Sequence, residues 1–201
     1  IVHDCLPAYW RFGELKHGLC CQHLLREFNW VMENRPKQTW PKAMTNLFLD
    51  MKACQEETLA LGKEKVDKDK LASFKRRYSM ILSVGFRQNP LERPSGKKGR
   101  PKIGKVGSLL RRLEEYRDEV CLFLNDLRVP FTNTLAEQSI RMLKVKTKVS
   151  GCFRTFAGGE CFVTIMSYLQ TARKHGIAAF DAIKAALCGK GNTIFSGCPA
   201  D

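Results

Sequence analysis

Apolar residues recur at three- and four-residue spacing through most of this chain, so the pattern predicts helices far more than strands. Helices are expected from about Gln22 to Glu33, Ala43 to Leu61 and Lys68 to Val84, with Pro36 and Pro41 separating the first two. Leu109, Leu113, Tyr116, Val120 and Phe123 form one apolar stripe, and Arg111, Arg112, Glu114, Glu115, Arg117 and Asp118 fill the other face. That spacing predicts one amphipathic helix. Pro130 disfavours helix before it, and Thr132, Asn133 and Thr134 all offer capping oxygens, so another helix is expected to start near Asn133 or Thr134 and run to Lys148. Two more are expected, from about Glu160 to Lys174 and from Ala178 to Leu187. Strand character is confined to the first residues, to Gly18–Cys21 and to Val149–Phe153.

Within the helix after Pro130, Glu137, Arg141, Lys144 and Lys148 fall on one stripe, and Ala136, Ile140 and Leu143 on its neighbour. The apolar stripe is expected to pack. The charged one carries one carboxylate followed by three cations, an arrangement suited to a metal ligand beside a phosphate track. The same spacing also reads as a capping box, Thr134-x-x-Glu137, with the glutamate folded back onto the helix start. Asp4 has the same duality. A short apolar lead-in followed by Asp and then Leu-Pro suits a strand ending in a ligand-binding loop, and it equally suits a turn or cap residue. Cys20 and His23 stand at Cys-x-x-His spacing, which offers two of zinc's four ligands or simply buried packing at a strand end.

Composition narrows the setting. The chain has 201 residues, 44% of them hydrophobic, which is enough for a globular core, and no apolar run approaches the length of a bilayer span. Nine cysteines without a paired framework suit reduced thiols in a cytoplasm, with no structural disulfides. The formal charge of +14 is uneven: residues 63–112 hold sixteen lysines and arginines against Glu64, Asp67, Asp69 and Glu92. Such a field attracts polyanions, DNA above all, although a solvated basic surface has the same composition. Inside it, Lys97, Lys98, Arg100 and Lys102 surround a Gly-Arg-Pro core, similar to hooks that lie in narrow minor grooves and also readable as a basic loop joining two helices.

Four segments carry a resemblance. V129-P-F-T-N-T-L-A-E-Q-S-I-R141 resembles the V-P-x-x-N-N-x-A-E-R-x-x-R signature of the insertion sequence 66 family of DDE transposases, with Thr134 in place of the second Asn and Gln138 in place of the Arg. Val2 to Tyr9 is similar to the family's D-x-x-x-A-Y, and Leu19 to Arg26 to its C-W-x-H-x-x-R. Lys148 to Arg154 with Gly158 and Gly159 is similar to the stretch after the family's catalytic helix.

The resemblance implies a ribonuclease-H-like fold, of which this chain looks like the second half. Residues 1–33 would hold late strands and the second acid, 34–125 a basic helical insertion, and 126–201 the glutamate helix and C-terminal helices. It further implies Asp4 and Glu137 as catalytic metal ligands for Mg²⁺ or Mn²⁺, with Arg141, Lys144 and Lys148 as phosphate-positioning groups. The implied reaction is DNA cleavage and strand transfer, the partners transposon ends and target DNA, and the assembly a homo-oligomeric transposition complex. Only Ile1, Val2 and His3 precede Asp4, so the chain is expected to be a fragment lacking the first acid and inactive by itself. The alternatives are a non-catalytic DNA-binding module using residues 63–112, and a zinc-stabilised interaction domain around Cys20, Cys21 and His23.

Overall fold

The structure is a computed structural model that describes residues 1–90 and 103–191. Among them are two short strands and nine α-helices, so the protein is mainly α, as the periodicity predicts. The chain divides into two compact units, Ile1–Asn133 and Thr134–Asp201.

In the first unit, β1 (Val2–His3) pairs in parallel with β2 (Gly18–Leu19), matching Val2 to Gly18 and His3 to Leu19. Helix α1 (Cys21–Asn34) starts directly behind β2 and buries Cys21, Leu24, Phe28 and Val31, one stripe at helical spacing. Helix α2 (Trp40–Ala60) starts three residues before its expected position. Pro41 lies in its first turn, where a missing N–H costs no helical bond, so the residue that reads as a break opens the helix instead. Helix α3 (Lys68–Gln88) is capped by Asp67, whose carboxylate accepts the N–H groups of Asp69 and Lys70.

Helices α1, α2 and α3 pack in sequence order, and α3 packs on α4 (Lys105–Glu115). Their shared core centres on Phe28, Trp40, Met44, Phe48, Tyr78, Leu110 and Leu113, all essentially inaccessible to solvent. Gly85 permits the closest approach, since a Cβ there would lie 2.5 Å from Leu110 Cδ2 and 3.3 Å from Trp40 Cδ2.

The single helix expected across Leu109–Phe123 is instead three: α4, α5 (Arg117–Val120) and α6 (Leu122–Asn125). The chain leaves helical geometry at Tyr116 (φ −105°, ψ 36°) and again at Cys121 (φ −95°, ψ 6°). These breaks let Val120, Phe123 and Leu124 join the core while the Tyr116 ring stacks on Trp10, so tertiary packing overrides a good local pattern.

Below α6, Gln55 of α2 reaches across the fold. Its Nε2 donates to the carbonyls of Leu127 (3.3 Å) and Val129 (2.9 Å), and the residue is buried. Gln55→Leu should therefore strand two carbonyl oxygens and cost about 1–3 kcal/mol, read as a lower urea midpoint at unchanged slope.

The second unit contains α7 (Thr134–Ser150), α8 (Phe156–Lys174) and α9 (Ala179–Leu187). The strand expected at Val149–Phe153 does not form. Helix α7 runs to Ser150 and stops at Gly151, whose φ of 71° suits a left-handed helix terminator. The stripe expected to pack does so only in part. Ile140 and Leu143 face Phe162, Val163 and Met166 of α8 across a cavity, yet no residue of α7 is buried. Ala172 and Ala182 are the buried residues of this unit among those described. None of the described helices is long and apolar enough to cross a membrane.

Candidate metal centre and nucleic-acid surface

Asp4 leaves the C-terminal end of β1, the position at which parallel strands present ligand-binding groups. Its side chain is half-buried, and its Oδ1 accepts the Leu6 N–H at 3.4 Å. Around it stands an aromatic and imidazole cluster that the sequence did not suggest. His3 is buried, with Nδ1 accepting the Cys5 N–H at 3.1 Å and Nε2 lying 3.0 Å from His17 Nδ1. Burial first, then the neighbouring His17, holds the His3 pKa below its ordinary value and favours a neutral ring. Trp10 stacks between His17 and Tyr116, at centroid distances of 4.7 and 4.6 Å. The only hint in the sequence was a histidine beside the candidate acid.

Cys20 and Cys21 sit buried where β2 passes into α1. They hold the segment that leads to α7: the Cys21 N–H donates to the Phe131 carbonyl at 3.1 Å, and the Asn133 N–H donates to Cys20 Sγ at 3.2 Å. Two of the segments singled out in the sequence, Leu19–Arg26 and Val129–Asn133, thus meet inside the first unit. The Cys21 thiol points to the carbonyls of Leu19 and Val120 at 3.7 and 3.8 Å, and burial pushes its pKa well up, so it stays protonated. Cys20 Sγ lies within 4.8 Å of a His23 ring nitrogen, so these two groups are near enough to share an ion or simply to pack.

In the second unit Glu137 stands in the first turn of α7 and is partly covered. Arg141, Lys144 and Lys148 follow on the same stripe and are exposed. One carboxylate followed by a guanidinium and two ammonium groups along one helix is the order expected for a ligand followed by phosphate contacts.

The basic region resolves into specific places. The exposed face of α3 carries Lys68, Lys75, Arg76 and Arg87, with Ala72, Ser79 and Ser83 between them and Asp69 and Met80 at its side. Other cations are engaged within the protein. Arg77 pairs with Asp50 at 2.6 Å, Lys70 with Glu57 at 3.2 Å and Arg112 with Glu27, while Lys105 Nζ lies 3.6 Å above the Trp30 ring. The sequence count therefore overstates the charge available to a partner. Lys97, Lys98, Arg100 and Lys102 lie outside the described residues.

A comparison with curated proteins gave no match, and neither did one with solved structures. The comparison with protein families gave one that spans residues 1–161 and so includes Asp4, Cys20, His23, Glu137 and the whole of α7. That family is the transposases of insertion sequence 66, and the chain belongs to it.

Proposed function

We propose that this chain supplies Asp4 and Glu137 to the metal site of a DDE transposase that cleaves DNA at transposon ends and joins the freed strand to a target. In this reading residues 1–33 belong to a ribonuclease-H-like core, 34–125 form a basic helical insertion, and 126–201 carry the catalytic helix. The observation that carries it is the parallel β1–β2 pair: Asp4 leaves the end of β1, and the segment leading to the Glu137 helix is hydrogen-bonded to Cys20 and Cys21 at the end of β2.

The donor set suits the implied metal. Carboxylate oxygens are hard ligands that favour Mg²⁺ or Mn²⁺, whereas the soft Cys20 thiol does not. Asp4 and Glu137 would hold such ions, which when bound would supply the positive charge that activates an attacking oxygen and stabilises a leaving one. The protein's own groups do the rest. Arg141, Lys144 and Lys148 hold phosphates in register, and Lys68, Lys75, Arg76 and Arg87 on α3 add sequence-independent affinity. More than one copy would assemble on the paired ends.

Two experiments test this reading. In the intact transposase with Mg²⁺ and a labelled transposon end, Asp4→Asn should lose cleavage while still retaining the duplex. Cleavage at the wild-type rate would remove Asp4 from the site. For the basic loop, neutralising Lys97, Lys98, Arg100 and Lys102 together should flatten the dependence of log K on log salt by roughly 3–4 if each meets a phosphate. An unchanged slope would take that loop out of the interface.

A further inference from the structure

The segment that carries Asp4 is anchored by only two residues of strand, yet its backbone is held in a costly conformation. Cys5, the next residue, has φ 69°, a left-handed value that side-chain-bearing residues seldom adopt and that persists only where surrounding contacts enforce it. The amide of this residue ends a chain of hydrogen bonds whose proton positions follow from the partners. A backbone N–H can only donate, so His3 Nδ1 accepts from Cys5. A neutral His3 then carries its proton on Nε2 and donates it to His17 Nδ1, 3.0 Å away. His17 in turn carries its proton on Nε2, which lies 3.0 Å from the Phe12 carbonyl, a group that can only accept. Each ring is thereby fixed in one tautomer.

The rings are also fixed in place. Trp10 is stacked between His17 and Tyr116, and Tyr9 stacks on His3 at 4.8 Å. Tyr116 stands at the break between α4 and α5, so the stack is rooted in the helical core. The far end of the chain of bonds is the Cys5 amide, which shares its peptide plane with the Asp4 carbonyl. Holding that plane restrains ψ of Asp4, and so steadies the backbone from which the carboxylate leaves β1.

We propose that His17, acting through His3, is a positioning residue that aims the Asp4 carboxylate at the metal; this rests on the reading of Asp4 as a metal ligand. A partner of this kind orients a ligand without touching the ion.

The test is a Mn²⁺ titration of the intact transposase without DNA, followed by electron paramagnetic resonance, for wild type, Asp4→Asn, His17→Leu and His17→Asn. Leu removes the acceptor that His3 needs. Asn keeps one, because its Oδ1 occupies the place of His17 Nδ1. His17→Leu should weaken Mn²⁺ binding about tenfold, and His17→Asn should recover most of that loss. If Asp4→Asn weakens binding and His17→Leu does not, the positioning role is wrong and the metal ligand stands. If Asp4→Asn has no effect, the ligand assignment fails and this proposal fails with it. Should His17→Leu not fold, the wild-type protein still decides: nitrogen-15 spectra of the imidazoles should show His3 and His17 both protonated on Nε2, and an Nδ1-protonated ring at either position would overturn the proposal.

Discussion

Glu137→Gln should lower transposon-end cleavage by roughly a thousandfold or more, because loss of a ligand charge removes several kcal/mol of transition-state stabilisation. Duplex binding at fixed salt should be unchanged. The substitution separates the two meanings of Thr134-x-x-Glu137. Glutamine serves as well as glutamate at the third position of a capping box, so a helix that needs only its cap keeps its stability and the enzyme keeps its rate. A metal ligand, by contrast, loses its negative charge. Gel analysis of strand cleavage, paired with a thermal melt, therefore reads the chemistry and the cap independently. Wild-type cleavage by Glu137→Gln would reduce this residue to a cap.

The second large effect concerns stability. Trp40→Ala should destabilise the first unit by about 3–5 kcal/mol, the cost of emptying a well-packed aromatic site. Trp40 is 1% exposed, meets Phe28 edge-on at 5.9 Å, lies against Gly85 and donates through Nε1 to Gln38 Oε1 at 2.7 Å. Trp40→Phe keeps most of the ring and should cost much less. Hydrogen exchange of the α1, α2 and α3 amides, followed in increasing urea, reports this unit directly. A loss under about 1 kcal/mol for Trp40→Ala would show that the site collapses around the gap, contrary to the packing seen at Gly85.

What could be read from the sequence follows from what is local. The helices α1 and α9 were legible because their apolar stripes and stop signals lie within each segment, whereas α3 runs four residues past its expected end and α8 starts four residues early, at Phe156. The start of α2 was not, because Pro41 reads as a breaker until the first turn is recognised around it. The breaks at Tyr116 and Cys121 follow from distant partners, Trp10 and the core beside β2, which no periodicity records. At the site, Asp4 and Glu137 stood out through motif resemblance, and residue chemistry alone left both as possible caps. Gln55 gave no signal at all, since its worth lies in two carbonyls more than seventy positions away. His17 was equally silent, and His3 signalled only by standing beside Asp4: the folded loop brings their rings to 3.0 Å.

The central claim is that Asp4 and Glu137 serve one metal site, and a double-mutant cycle on Mn²⁺ affinity tests it most directly. Asp4→Asn, Glu137→Gln and the double variant are compared in the intact transposase, with folding checked by circular dichroism. If both carboxylates hold the same metal centre, the second substitution costs far less once the first has been made, and the cycle shows a strong coupling energy. Strictly additive losses, or no loss from either substitution, would contradict the account.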